Sequence, residues 1–363
     1  MEWIFNGNYL IGRNNKDILE NSKIAGFDLD DTIIKPKSGK KFGDDSDDWV
    51  LYNNQVACGL KKLSTDGFNI VFISNQKGIG KDKQKMNMWK KKVENIVNFL
   101  GLHISVFASL KDDMYRKPRT GLWDLIEGNV ENSFFCGDAA GLKKRVIHGI
   151  EIPKDFSDSD LKFALNLGLK FIHRDEFIFD AKYTSYNIDY PVDFKKIGNT
   201  CDYEFKPKPK EVIICIGLPG SGKSTFVKNK IIPCNYEHIN QDTLKTLPKC
   251  LSVLEVALKN QKNAVIDNTN VSKNNREKFT EICKKYGYSY RYFFFNTHKD
   301  ICIHNNYLRN YITHGKVEVI PSIVYNMMNK KFEKPTSDEG YEELVEIKFS
   351  IDLDRKIYEK YYL

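Results

Sequence analysis

The sequence predicts an α/β chain with two doubly wound, mainly parallel-sheet domains, and three observations carry that reading. Short β-rich apolar runs alternate with amphipathic helical stretches, the alternation occurs twice, and a polar stretch broken by prolines separates the two occurrences. The length of 363 residues agrees, since domains commonly run to roughly 100–200 residues. Domain one is assigned to 1–181, with strands over 23–28, 69–74, 104–108 and 133–137 and a helix over 85–100. A linker is placed at 182–210, where K-P-K-P-K cannot sustain a helix because each proline removes an amide donor and restricts its predecessor. Domain two takes 211–363, with strands over 211–217, 237–240, 264–267 and 290–295 and helices over 223–230, 274–286, 298–311 and 321–332.

Composition narrows the class. Apolar residues at 41% and charged residues at 29% are ordinary globular usage and argue against a disordered or fibrous chain. No apolar run approaches the roughly 20 residues a membrane helix needs. The start MEWIFNGNYLIGRNNKD has no secretory pattern, so an intracellular protein is expected. Eight cysteines without a C-x-x-C pair read as reduced thiols rather than a zinc site. The net charge, 56 − 48 = +8, suits a polyanionic partner but does not by itself imply one.

Two constellations carry chemistry. In GFDLDDTI, Asp28 and Asp30 stand two apart after an apolar strand, a spacing that points both carboxylates to one face. Such a pair suits an aspartate that attacks phosphorus and a second that protonates the departing oxygen and then activates water. A loop of turn formers is the competing reading of D-x-D-x-T. Ser74 and Asn75 in VFISNQ, Lys117 in YRKPRTG and Asp138 in FFCGDAAG follow, offering a hydroxyl, an amide, a cation and a further acid for Mg²⁺. The second constellation is GLPGSGKST, which follows the strand EVIICI and precedes a helix-compatible stretch, the context a phosphate-binding loop requires. Gly217, Gly220, Ser221, Gly222, Lys223, Ser224 and Thr225 would bind the nucleotide, with Lys223 on the β/γ oxygens and Ser224 on Mg²⁺. Asp242 in NQDTLKT is a candidate base for an acceptor hydroxyl, against the alternative of a helix cap.

The order of the first set resembles the four signatures of the haloacid dehalogenase phosphatases. Longer strings, IAGFDLDDTIIKPKSGKKF, VFISNQKGIG, YRKPRTGLWD, FFCGDAAG and KDFSDSDLKFALNLGL, are similar to the phosphatase half of the polynucleotide kinase 3′-phosphatase family. HINQDTLKT, AVIDNTNVSKNNREKF and CIHNNYLRN resemble its kinase half. The resemblance implies Asp28 as nucleophile, Asp30 as general acid/base, Ser74 and Lys117 as phosphoryl stabilisers, and Asp28, Asp30 and Asp138 around Mg²⁺. Asp155 or Asp160 would supply a supporting acid. It also implies Asp242 as the base toward a 5′-hydroxyl, Arg309 as a lid arginine, Asp267 near the nucleotide, and Asn75, Arg116 and Arg276 as substrate contacts.

Gln241 and Tyr307 stand where animal members tend to carry arginines, which puts phosphate affinity and acceptor preference in question. The implied activity is healing of broken ends: ATP and Mg²⁺ as cofactors, DNA with 3′-phosphate and 5′-hydroxyl ends as substrate, and a ligase acting afterwards. A phosphopeptide-docking module and a membrane are not expected as partners. The same chemistry on RNA ends, a small-molecule phosphatase/kinase fusion and an inactive scaffold are the alternatives. The insert IIKPKSGKKFGDDSDDW, the basic LKKRV, and Trp49, Trp89 and Trp123 are further candidates for nucleic-acid contact, with solvated or packed roles as the competing readings.

Overall fold

The computed structural model describes all residues except 15–21, 41–42, 44, 127 and 200–202. Cys201 and part of the insert after Asp28 therefore lie outside the described residues. The chain forms two compact units, one of Met1–Tyr190, Asn310–Glu318 and Lys360–Leu363, the other of Pro191–Arg309 and Val319–Glu359.

The first unit is built on a seven-stranded sheet in the order Glu2–Phe5, Tyr9–Arg13, Ile104–Ser109, Asn69–Asn75, Ser22–Phe27, Gly128–Gly137, Lys170–His173. The last five run parallel, while the first two form an antiparallel hairpin that joins the edge. Parallel strands buried on both faces need apolar side chains at every position. Ala25, Phe27, Ile70 and Phe72 accordingly fill one face, and Ile24, Val71 and Ile73 the other. The helix Lys83–Leu100 starts where the Asp82 carboxylate accepts the amides of Gln84 and Lys85 and stops at left-handed Gly101. Its Met86, Trp89, Val93, Ile96, Val97 and Leu100, at helical spacing, bury one stripe against the sheet. Trp89 and Trp123 are buried in the cores on the two faces of the sheet, and Trp49 packs at the edge of the one that holds Trp89. A register shift between Lys23 and Ala25 lets the Ser133 hydroxyl accept the Ile24 amide, so the bulge leaves no buried donor unpaired.

The second unit has five parallel strands in the order Glu237–Ile239, Ala264–Ile266, Glu211–Ile216, Ser289–Phe294, Glu343–Glu346. Val212, Ile214 and Ile216 face one core, and Ile213 and Cys215 the other. The helical turn Lys223–Phe226 continues as a π-helical segment, Val227–Ile231. Helices Leu247–Lys259, Lys273–Lys285, Lys299–Ile312 and Ser322–Lys330 follow. In both sheets the strand C-termini converge on one edge, where ligands bind in open α/β folds. Among the described residues, no helix is long and apolar enough to cross a membrane.

One buried ion pair anchors the second sheet. The Arg291 guanidinium donates to both oxygens of Glu211 at 2.8 and 2.9 Å, and the Tyr236 hydroxyl donates to the same carboxylate. Removing one partner of a buried pair strands the other charge, at about 3–5 kcal/mol. Arg291→Met is therefore expected to lower unfolding stability by that order in a urea titration. A loss below about 1 kcal/mol, the range of exposed pairs, would show that Glu211 does not depend on it.

Candidate active sites

Asp28 directly follows the Ser22–Phe27 strand and extends its ladder, its amide donating to Cys136 O at 2.8 Å. The chain then turns sharply. Asp31 adopts a left-handed φ of 59°, and the amides of Ile33 and Ile34 return to Leu29 O. The turn leaves Asp30 exposed, where Gln76 Nε2 donates to its Oδ2 at 2.6 Å and Lys92 lies 3.8 Å from Oδ1. Gln76 also donates to Ser74 Oγ at 2.9 Å, tying the acid to the next strand end. The Thr32 hydroxyl donates to Asp138 Oδ1 at 3.1 Å.

Lys117 is the centre of this group. Its ammonium lies 2.6 Å from Asp28 and 2.8 Å from Asp160, with its side chain almost fully buried over the Phe135 ring. Asn75 brackets the Lys117 peptide, accepting its amide at 2.9 Å and donating to its carbonyl at 3.1 Å. Carboxylate oxygens of Asp28, Asp138 and Asp160 all lie within 4.8 Å of one another. Burial, with repulsion from Asp160 and Asp138, pushes the Asp28 carboxyl well up despite Lys117. Asp138 is raised to about 7, chiefly by burial and then by Asp160. Burial favours the neutral amine of Lys117, but Asp160 and Asp28 outweigh it and raise its pKa. Three hard-oxygen donors crowded to this degree match the donor set a small divalent cation prefers.

Asp160 reaches this cluster because residue 137 is glycine. A Cβ on Gly137 would collide with the Asp160 carboxylate. Asp155, the other acid considered for the supporting position, is occupied elsewhere: it accepts the amides of Ala140 and Leu142 and pairs with Arg145 at 2.9 Å. Asn75, expected at the substrate, holds the Lys117 peptide. Arg116 is half-buried beside Lys117, its amide donated to Asp113 O at 3.1 Å. Lys143, Lys144, Glu151, Pro153 and Lys154 line a cavity of about 590 Å³ that takes in the two lysines of the LKKRV segment and none of the three clustered acids.

In the second unit the loop 217–225 curls between strand and helix. Gly220 sits at φ 77°, and a Cβ there would strike Cys302 O. Thr297 donates to Ser221 O at 3.0 Å and Asn305 to Gly220 O at 2.8 Å, bracing the loop from outside. Lys223 folds onto the loop, donating to Gly217 O, Leu218 O and Ser221 Oγ at 2.9, 2.7 and 3.2 Å. Burial lowers its pKa. Ser224 and Thr225 are exposed, as is Asp242.

Asp267, at the end of Ala264–Ile266, joins the pieces. It accepts from Ser224 Oγ at 3.1 Å and Asn240 Nδ2 at 3.1 Å, and its Oδ2 lies 3.1 Å from His238 Nε2. Although burial raises its pKa, the bonds to His238 and Ser224 outweigh that and hold it low. Asn240, not Asp242, caps the short helix Gln241–Leu244, accepting the amides of Asp242 and Thr243, while Asn268 accepts the Gln241 amide at 2.7 Å. Asp242 is thereby left facing solvent in the first turn of a helix that starts just after the Glu237–Ile239 strand. Arg309 is half-buried on Lys299–Ile312, its Nη2 donating to Asn306 at 3.4 Å.

Arg276 requires a correction. It was expected to place substrate, but it is fully buried, forks onto both oxygens of Glu339 at 2.7 Å, and donates to Asn270 O and Glu333 O. No donor faces outward, so its role is to hold the helix Lys273–Lys285. His238 and Asn240 were missed, although, two residues apart in extended backbone, they share a face with one another.

A buried carboxylate and lysine group in one unit and a nucleotide loop with a nearby acid in the other define a phosphatase joined to a kinase. A family model described as polynucleotide kinase 3 phosphatase matches residues 23–178, and one described as AAA domain matches 245–335. A protein of Acanthamoeba polyphaga mimivirus, named as a bifunctional polynucleotide phosphatase/kinase, is 35% identical over 97% of this chain and 91% of its own length. One of that name from Schizosaccharomyces pombe is 32% identical over 96% of this chain and 85% of its own. A polynucleotide 3′-phosphatase of Saccharomyces cerevisiae is 29% identical over 42% of this chain and 86% of its own. The chain belongs to the bifunctional polynucleotide phosphatase/kinase family.

The close approach at Gly137 gives a direct test. Gly137→Ala should displace Asp160 and cut phosphatase turnover by about 10²-fold, the order expected for a misplacement of about 1 Å, with kinase turnover on the same chain unchanged. Equal loss of both activities, or of neither, would show that the contact with Asp160 is not what the glycine provides.

Proposed function

We propose that this protein repairs broken DNA ends, removing a 3′-phosphate in its first unit and phosphorylating a 5′-hydroxyl with ATP in its second, leaving ends that a ligase joins. The observation that carries the reading is Lys117 held between Asp28 and Asp160 in a chain that also keeps an intact nucleotide loop. An inactive scaffold has no need to keep a buried cation among acids.

In the phosphatase half-reaction an Asp28 oxygen attacks phosphorus as the bond to the 3′ oxygen breaks, and Asp30 gives that oxygen its proton. Asp30 then takes a proton from water, which attacks the aspartyl phosphate and releases phosphate and free Asp28. Lys117 offsets the charge at the nucleophile throughout, and Ser74 offers its hydroxyl to a phosphoryl oxygen. Gln76 and Lys92 keep Asp30 on the open side of the site, where a leaving group enters and departs. The residues that would hold Mg²⁺ are Asp28, Asp138 and Asp160, and Ser224 with Asp267 in the kinase, where it would supply charge to offset phosphoryl oxygens.

In the kinase half-reaction Asp242 accepts the proton of the 5′-hydroxyl as its oxygen attacks the γ-phosphorus and the bond to ADP breaks. Lys223 exchanges the carbonyls of Gly217 and Leu218 for nucleotide oxygens, and Arg309 offsets charge on the group in transfer. Gln241 beside the base adds no charge, so the acceptor strand must find its cations elsewhere.

Incubation with Mg²⁺, labelled ATP and a nicked duplex bearing 3′-phosphate and 5′-hydroxyl ends, in DNA and RNA forms, tests the reading. Both DNA ends should convert. Asp28→Ala should abolish only 3′ dephosphorylation, and Lys223→Ala or Asp242→Ala only 5′ phosphorylation. A preference for RNA would reassign the substrate, and one substitution silencing both activities in folded protein would end the two-site account.

A further inference from the structure

Among the buried cations that the phosphatase reading does not use, one reaches the turn that carries Asp30. Arg174 lies at the end of the Lys170–His173 strand, only 5% exposed, far along the chain from the residues that carry the chemistry. Its Nη1 donates to the carbonyl of Asp31 at 2.7 Å. The rest of its fork is immobilised: Nε and Nη2 both reach Asp175 Oδ1, at 3.1 and 2.9 Å, and the guanidinium lies 4.2 Å from the Tyr52 ring centroid. Asp175 is fixed in turn, since its Oδ2 accepts from Arg145 Nε at 2.7 Å and from the Tyr183 hydroxyl at 3.0 Å. The adjacent His173 lies fully buried, with Nε2 3.1 Å from Asp138 O.

The Asp31 carbonyl is a consequential group to hold. Asp31 is the left-handed residue of the turn, and its carbonyl belongs to the peptide between Asp31 and Thr32. On one side of that peptide stands Asp30, and on the other Thr32, whose hydroxyl binds Asp138. Aspartate tolerates this conformation better than most side chains, and the amides of Asp31, Ile33 and Ile34 close the turn on Ile34 O and Leu29 O. The peptide after Asp31 is anchored from outside by Arg174, so losing that bond would free the peptide beside Asp30 to tilt. A rigid planar fork bolted to Asp175 is such an anchor, and lysine could not meet both demands at once.

We propose that Arg174 is a positioning residue for the phosphatase: through the Asp31 carbonyl it fixes the turn that aims Asp30 at the leaving oxygen. The inference rests on Asp30 acting as general acid. It touches no reacting atom, so its removal should be felt most where proton donation matters.

The test compares kcat/KM for a 3′-phosphorylated oligonucleotide, whose sugar oxygen needs a proton to leave, with p-nitrophenyl phosphate, whose phenolate leaves without one. Asp30→Asn is the reference and should lose about 10²–10⁴-fold on the oligonucleotide, the range of general acid catalysis, and far less on the phenyl ester. Arg174→Met should show the same asymmetry at smaller size, roughly tenfold on the oligonucleotide and within about twofold on the ester. Arg174→Lys, which keeps the charge but not the fork, should fall between Arg174→Met and the parent. Kinase turnover and a thermal melt report whether each variant is folded; if Arg174→Met is not, Arg174→Lys carries the comparison. Equal losses on both substrates for the Arg174 variants, with Asp30→Asn asymmetric, would overturn the inference alone. Equal losses for Asp30→Asn itself would remove the general-acid reading and this inference with it.

Discussion

Three carboxylates held within 4.8 Å of one another in a buried place repel, and the first unit is arranged around that repulsion. Lys117 is the protein's own answer to it, and one cation does not balance three acids. Asn75 fixes the Lys117 backbone and Phe135 lies under its ammonium, while Gly137 gives Asp160 the room to complete the group. Charges so placed cannot relax by moving apart. Their electrostatic strain is relieved only by further positive charge or by protonation, and a fixed field of this kind can favour a phosphoryl group in transfer without reorganising.

The second unit solves a different problem, that of holding a cradle for an anion. Lys223 occupies the loop by bonding its carbonyls, and Asp267 gathers the loop serine, His238 and Asn240 at one strand end. Because Asn240 caps the helix bearing Asp242, that acid and the nucleotide loop are placed by the same carboxylate. A shift in the Ala264–Ile266 strand would move both together, which keeps donor and acceptor in register. The two units therefore use aspartate oppositely: Asp28 is raised by burial, while Asp267 is held low by its donors.

The legible parts of the structure are those whose cause is local. The interiors of runs such as 70–73 and 212–216 are apolar because both faces of a parallel strand are covered, and candidate site residues such as Ser74 and the loop from Gly217 stand at their ends. The antiparallel pair Glu2–Phe5 and Tyr9–Arg13 was not foreseen, since its first strand is largely exposed and shows no sustained apolar pattern. Choosing between Asp155 and Asp160 needs knowledge of where the helix Ser159–Leu167 points its first turn. Arg276 was misjudged because its partner Glu339 lies 63 residues away, and no local pattern announces a pair of that reach. Arg174 was invisible for the same reason, its target carbonyl lying 143 residues earlier.

The first unit is not closed by its own N-terminal stretch. Arg119 donates to Tyr362 O, Asn166 to Tyr361 O, and the Asn310 side chain accepts the Met114 amide. A ribosome therefore releases Asp28 early and supplies further pieces of that unit only after most of the second has been made. The half translated first is completed by residues that come after the second sheet, so no single cut between the two activities yields a whole first unit, and losing 360–363 is a lesion of the half that was made first.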